Sequence, residues 1–513
     1  MLSSVVAAVG FTPLTATAQA QTAAPQASSE QGAGAAAAPF VRRLDTTPQM
    51  TMGEQHPQPL APLKGVDPAT FALRKARAAQ SPADPKAASP PPARLQSLPT
   101  PGQTVLFNST DEVGCGDVTP ADQAIAVGDT PVGVLQVINV CVNVFDKLGN
   151  LQAGYPKSLT SFVGLPAFTP VSDPRAIYDW VNHRYFVTFI QFDPNFASAS
   201  FYWIAVSRGD NPAGAYCLYK LGVQSVGVSG GFFPLPDFPR LGQDTQAIYL
   251  ASNIFNPDFK WEEILVLPKA ALEACTGTGF SVFFDLALGG VATDTTQPAN
   301  VFEVADNPRS EYLVTSKNIF FADPKNGLVV WAIHSPLSSP TLTGVFVATA
   351  NSYSLPPKAS QPGGANDVDT GDTRISGMAM YNAGSIYASL NAANGTHSEA
   401  ILYQIQPFVT AGGANDGKIA SARILNEFVH GGAFDTYYAT QQPDPEAMSP
   451  MCGTSPAQLP SPRLFIRRGA RRRASARSPT GASLRSAERD FTTRASAPLP
   501  SGGATIPPQR RPA

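Results

Sequence analysis

Between residues 104 and 440 the chain alternates short apolar runs with clusters of Gly, Pro, Asn and Asp. The stretch "SDPRAIYDWVNHRYFVTF", residues 172–189, shows the unit. Residues 176–178 read as a strand, 181–184 as a turn in which Asn182 can take a positive φ, and 185–189 as the returning strand. "GVLQVINVCVNVFDKLGN" (133–150) holds two strands' worth of β-branched residues and closes on a turn at 146–150. "SASFYWIAVSRGDNPAGAYCLYKL" (198–221) repeats the texture around "RGDNPAG". Only "LPKAALEACTG" (267–277) has a helix former's composition. The pattern predicts an all-β fold.

The hairpin recurs. "QAIAVGDTPVGVLQVINV" (123–140), "DFPRLGQDTQAIYLASNIF" (237–255), "ANVFEVADNPRSEYLVTSKNIF" (299–320) and "DTRISGMAMYNAGSIYASLNAANG" (372–395) join 172–189 to make five hairpins, beginning about 50 to 75 residues apart. Small antiparallel sheets of this size cannot bury their own faces alone, and a β-propeller stacks them radially. A pair of β-sandwiches would also alternate strands and turns, but would leave the recurring acid–Pro–Arg corner unexplained. A β-propeller of six to seven blades over 104–440 is therefore expected.

The ends have a different texture. Residues 1–20 carry the apolar run "VVAAVGF" and a small-x-small Ala18-Gln19-Ala20, which reads as an export signal without a basic start. Residues 21–103 are rich in Ala, Pro, Gln and Ser and read as a disordered linker. No run is long enough for a transmembrane span. Residues 441–513 read as a disordered, Arg-rich tail. Arg/Ala/Pro/Ser text is what a GC-rich gene yields in a shifted frame, so the tail is read as a frame-shifted extension that leaves the ring short of closing strands. A genuine basic tail is the competing reading.

Charge follows the same division. Residues 104–440 hold 16 Lys/Arg against 29 Asp/Glu, a net of −13, while 451–513 hold 12 Arg against two acids, a net of +10. The acidic body excludes nucleic acid as a partner of the folded domain. Of five cysteines, Cys115, Cys141, Cys217 and Cys275 lie in the body, where Cys115–Cys141 and Cys217–Cys275 are the sequence-local disulfides and buried free thiols the alternative.

"PADQAIAVGDTPVGVLQVINVCVNVFDKLGN" resembles the opening of a group of exported bacterial propeller proteins of unassigned activity, distantly sialidase-like in shape. The pieces "SDPRAIYDWVNHRYFV", "DFPRLGQDTQAIYLASNIF" and "GDTRISGMAMYNAGSIYASL" are similar to successive blades of that group, in order. The resemblance implies a fold and a secreted, periplasmic or cell-surface location rather than a reaction.

The chemistry is thin at this level. No Asp-box, Gly-x-Ser-x-Gly elbow, P-loop or dinucleotide fingerprint occurs, and no catalytic residue is assigned. Arg175, Arg240, Arg309 and Arg374 follow similar corners and are the candidate ligand-binding cluster. The alternative has each locking a turn with Asp173, Asp237, Asp306 or Asp372. Asp367, Asp369 and Asp372 share one loop and are the candidate ligands of calcium, the one cofactor considered, against a plain solvated acidic loop. The composite expectation is a monomeric binding or surface-associated module for a carbohydrate or cell-surface component. A hydrolase of glycans or phosphate esters is the alternative, and a product without stable function the second.

Overall fold

In the computed structural model, the described residues are 40–43, 45–50, 107, 109–111, 113–116, 121–193, 196, 198–223, 233–256, 258–288, 291–301, 306, 308–317, 325–360, 367–430, 434–441, 443, 450–455 and 463–468. The chain builds one antiparallel four-stranded sheet after another. The first blade is Ala124–Val127, Val134–Ile138, Cys141–Phe145 and Lys157–Ser158. The second is Val171–Asp179, Arg184–Gln191, Phe201–Ser207 and Tyr216–Gly222. The third is Leu235–Gln243, Ala247–Phe255, Phe259–Pro268 and Gly279–Phe284. The fourth is Gln297–Val301, Glu311–Ser316, Lys325–His334 and Thr341–Tyr353. The fifth is Ala379–Asn382, Ser385–Asn394, His397–Val409 and Ile419–His430. A three-stranded sheet of Tyr437–Gln441, Pro450–Ser455 and Arg463–Arg468 follows.

The first strand of each blade is the inner one. Those of the first three blades lie side by side. Those of the third, fourth and fifth pair in parallel, Gln243 opposite Asn300 and Ala299–Val301 opposite 379–381. Gly242 permits this approach, because a Cβ there would lie 2.4 Å from Pro298 and 2.6 Å from the Ala299 carbonyl oxygen. Inner strands in chain order around one axis, each leading outward through a meander, make the fold a β-propeller.

Packing between blades confirms the radial order. Within the second blade, Tyr185 and Val187 face the first blade's Leu135 and Val137. Their neighbours Phe186 and Ile204 face Leu250 and Leu265 of the third. Tyr249 and Val266 then meet Leu313 and Trp331 of the fourth, and Val314 and Val330 meet Leu390 and Tyr403 of the fifth. Finally Ala400 and Leu402 meet Ala439. Every middle blade is therefore covered on both faces, so Ala247–Phe255 is buried at every position rather than alternating inside and out.

Disulfides join Cys115 to Cys141 within the first blade's surroundings, and Cys217 on the second blade's outer strand to Cys275 after the short helix Lys269–Glu273. At the periphery, Phe40–Arg43 pairs with Gly279–Phe284 and Asp45–Met50 with Tyr216–Gly222. The rest of the expected linker and tail lies outside the described residues. Among the described residues, no helix is long and apolar enough to cross a membrane.

Candidate functional site

A residue with positive φ lies within the first few residues of, or up to eight residues before, the first strand of each sheet. The corner residues are Asp122 (42°), Asp173 (55°), Phe238 (51°), Thr295 (58°), Gly371 (70°) and Tyr438 (50°). A β-bulge accompanies the corner in the second and third blades, between Ser172 and Arg175 and between Asp237 and Arg240. Five of these six residues carry side chains in a region that ordinarily favours glycine, so the surroundings must hold them there.

Neighbouring blades do so. Asn139 Oδ1 accepts the Asp173 N–H at 2.9 Å, Asn253 Oδ1 the Thr295 N–H at 2.8 Å, and Asn391 Oδ1 the Tyr438 N–H at 2.8 Å. At the second-to-third junction, Asp173 Oδ2 accepts the Phe238 N–H at 2.9 Å. Four of the six corner residues are thus held by a side chain of the preceding blade.

That clamping gathers acids. Asp122 and Asp237 are half-buried, Asp173 is buried, and the three repel one another. Burial, then the Asp173 charge and hydrogen bonding with the Asp173 side chain, push the Asp122 carboxyl up to about 7. Burial and then Asp173 push Asp237 well above the ordinary carboxylate range. Like charges this close disfavour ionisation of Asp122 and Asp237.

The structure brings Arg175, Arg240 and Arg374 to this mouth, all around the Phe238 ring. Their guanidinium carbons lie 5.0, 5.2 and 4.8 Å from its centroid. Arg240 is 1 % exposed and pairs with Glu262 at 2.9 Å, with further bonds to the Thr296 and Phe238 carbonyls at 2.7 Å each. Burial draws that pair toward neutrality, Glu262 up to about 7 and Arg240 down to about 10, although each partner opposes the other's shift. Arg374 forks onto Asp372, Nε at 2.8 Å from Oδ1 and 2.9 Å from Oδ2, with Nη2 at 2.5 Å from Oδ2. Arg175 donates to the Pro174 carbonyl at 2.9 Å and the Asp122 carbonyl at 3.4 Å.

Arg309 is placed elsewhere. It lies in the segment between the fourth blade's first two strands and binds Asp416 at 2.7 Å, because its "DNPR" string forms a connection rather than an inner corner. The three candidate calcium acids do not converge either. Asp372 is committed to Arg374, Asp369 accepts the Gly371 N–H at 3.0 Å, and Asp367 is exposed. Among the described residues no group of three or more His, Cys, Asp or Glu is arranged to hold a metal ion.

Asp122, Asp173 and Asp237 as a set escaped sequence reasoning. The signal that could have found them is the acid at the start of three successive units, counted from the hairpins rather than from the Arg.

No family model and no curated protein matches this chain. Solved structures similar to it include a subtype N10 neuraminidase-like protein of A/little yellow-shouldered bat/Guatemala (TM-score 0.32, 10% identity, 68% of this chain and 95% of that one). Another is an exo-β-1,3-galactanase from Clostridium thermocellum (TM-score 0.31, 10% identity, 70% and 82%). A third is an endo-arabinase from Bacteroides thetaiotaomicron (TM-score 0.29, 11% identity, 59% and 94%).

The expectation of a binding module without a catalytic constellation is corrected. Acids scattered through the sequence, Asp122, Asp173 and Asp237, come together at the inner-strand corners. The sequence reading put Asp173 and Asp237 in separate turns and did not single out Asp122. The alternative held beside it, a hydrolase, suits this arrangement better.

Proposed function

We propose that the protein is a glycan hydrolase whose active site is the acid cluster at the inner-strand corners. The observation that carries this reading is the half-buried pair Asp122 and Asp237, coupled through buried Asp173. Glycoside cleavage needs one carboxylic acid to protonate the departing oxygen and one carboxylate to act as base or nucleophile. Mutual repulsion supplies both states from identical side chains.

Asp237, whose carboxyl burial and Asp173 hold well above the ordinary carboxylate range, is the proton donor. Asp122, beside Arg175, is the carboxylate that activates water or attacks the anomeric carbon. Asp173 is a positioning residue: its Oδ2 holds the Phe238 N–H, next to Asp237, while its charge raises both neighbours. Six positive-φ corners support a six-bladed ring, with Tyr437–Gln441 as the last inner strand. Two disulfides suit an exported protein, consistent with the export signal read at residues 1–20.

The test is turnover of a panel of aryl glycosides and natural glycans by the full chain, beside Asp122→Asn, Asp237→Asn and Arg309→Ala. Both acid variants should lose about 10²- to 10⁴-fold in kcat/KM, and Arg309→Ala should keep its rate. Folded protein that cleaves none of the panel, or acid variants as fast as the parent, would sink the reading.

A further inference from the structure

We propose that this mouth takes a neutral sugar and rejects acidic ones, because two of its three guanidiniums are committed to the protein's own oxygens and the third is set against Asp122; the proposal rests on the hydrolase reading and deepens it. A site that recognises a sugar carboxylate or phosphate presents arginine forks to the ligand. Here the forks of Arg240 and Arg374 are turned inward.

Arg374 spends Nε and Nη2 on both oxygens of Asp372. Asp372 is itself buried and holds the Arg374 guanidinium above its ordinary range, even though burial pulls the other way. Arg240 is sealed from solvent and satisfied by Glu262 and two carbonyls. Arg175 donates from Nη1 alone to two carbonyls, and its charge is set against Asp122. All three also lie close to the Phe238 ring, which restricts how far they can swing toward a ligand.

What the mouth offers solvent is acidic and aromatic. Asp369 is exposed near the phenol of Tyr438, whose residue is 46 % exposed and whose backbone is fixed by Asn391. A neutral ring can lay its apolar face on such an aromatic and place hydroxyls against carboxylates. An anionic sugar meets unbalanced negative charge in a partly desolvated place, which is discrimination by repulsion.

The experiment is calorimetric binding to the full-chain Asp237→Asn protein, using neutral oligosaccharides and their sialylated or uronate counterparts. Neutral ligands should bind at least about tenfold tighter than any acidic counterpart. Asp372→Asn, which releases Arg374, and Asp369→Asn, which keeps an acceptor for the Gly371 N–H, should each narrow that ratio. Acidic ligands binding as tightly as neutral ones, or no neutral ligand binding at millimolar concentration, overturns the proposal. Neutral binding without turnover by the parent overturns the hydrolase reading and leaves this one standing. Cleavage of sialosides or uronides in preference to neutral glycosides does the reverse.

Discussion

Asn253 of the third blade accepts the backbone N–H of Thr295, the fourth blade's corner, at 2.8 Å, and its Nδ2 donates to Thr295 Oγ1 at 2.9 Å. Both residues are buried, and Thr295 sits at φ 58°. Replacing Asn253 with Ala strands a buried N–H beside a backbone already in an unfavourable region. A loss of about 1–3 kcal/mol is expected, read as a lower urea midpoint at unchanged m-value. The same change at Asn391 should cost a similar amount at the Tyr438 corner.

That clamp also explains what the sequence disclosed and what it hid. The hairpins were legible because apolar runs and turn residues encode them locally: 172–189 folds as Val171–Asp179 and Arg184–Gln191. The corners were not, because one backbone shape is occupied by Asp, Phe, Thr, Gly and Tyr. String similarity misaligned them. In "SDPR" the acid is the corner residue, in "DFPR" it precedes the corner, and in "DNPR" it belongs to a connection remote from the axis. Only the bulge register separates Asp173 from Asp237, and register is a property of paired strands.

The buried Arg240–Glu262 pair should behave asymmetrically. Glu262 is 0 % exposed and also accepts from Thr296 Oγ1 at 2.6 Å. Glu262→Ala leaves a sealed guanidinium without its counter-charge, and a loss of about 3–5 kcal/mol is expected. Glu262→Gln keeps the shape and the acceptor and should cost less. Guanidinium denaturation of the two variants at one pH checks the ordering, which reverses if the pair is dispensable.

The Cys217–Cys275 bridge spans 58 residues and ties the second blade's outer strand to the third blade. Closing a loop of that length restricts the unfolded chain, so Cys217→Ser with Cys275→Ser should lose about 2–4 kcal/mol. Because the bridge stands at the outer edge while Asp122 and Asp237 stand at the inner corners, glycoside turnover below the melting temperature should be unchanged. Thermal melts of parent and double variant, followed by rates at 25 °C, separate the two effects.

Acidity and stability should oppose each other at Asp122. Its carboxyl titrates near 7 in the folded protein against 3.8 for the ordinary group, so the folded state binds a proton that the unfolded state releases. Stability from this group is therefore fully present below about pH 4, declines as pH rises toward 7, and stays low above it. Activity should run the other way, rising through about pH 7 as Asp122 becomes the carboxylate the reaction needs, then falling where Asp237 gives up its proton. Asp122→Asn keeps the shape and removes the charge. It should flatten the decline in urea midpoint between pH 4.5 and 7.5, raise the midpoint at pH 8 above the parent's, and lower turnover about 10²- to 10⁴-fold at every pH. A parent whose midpoint climbs over that interval, with Asp122→Asn following it in parallel, would show that this carboxyl ionises normally and that the cluster is not poised for proton transfer.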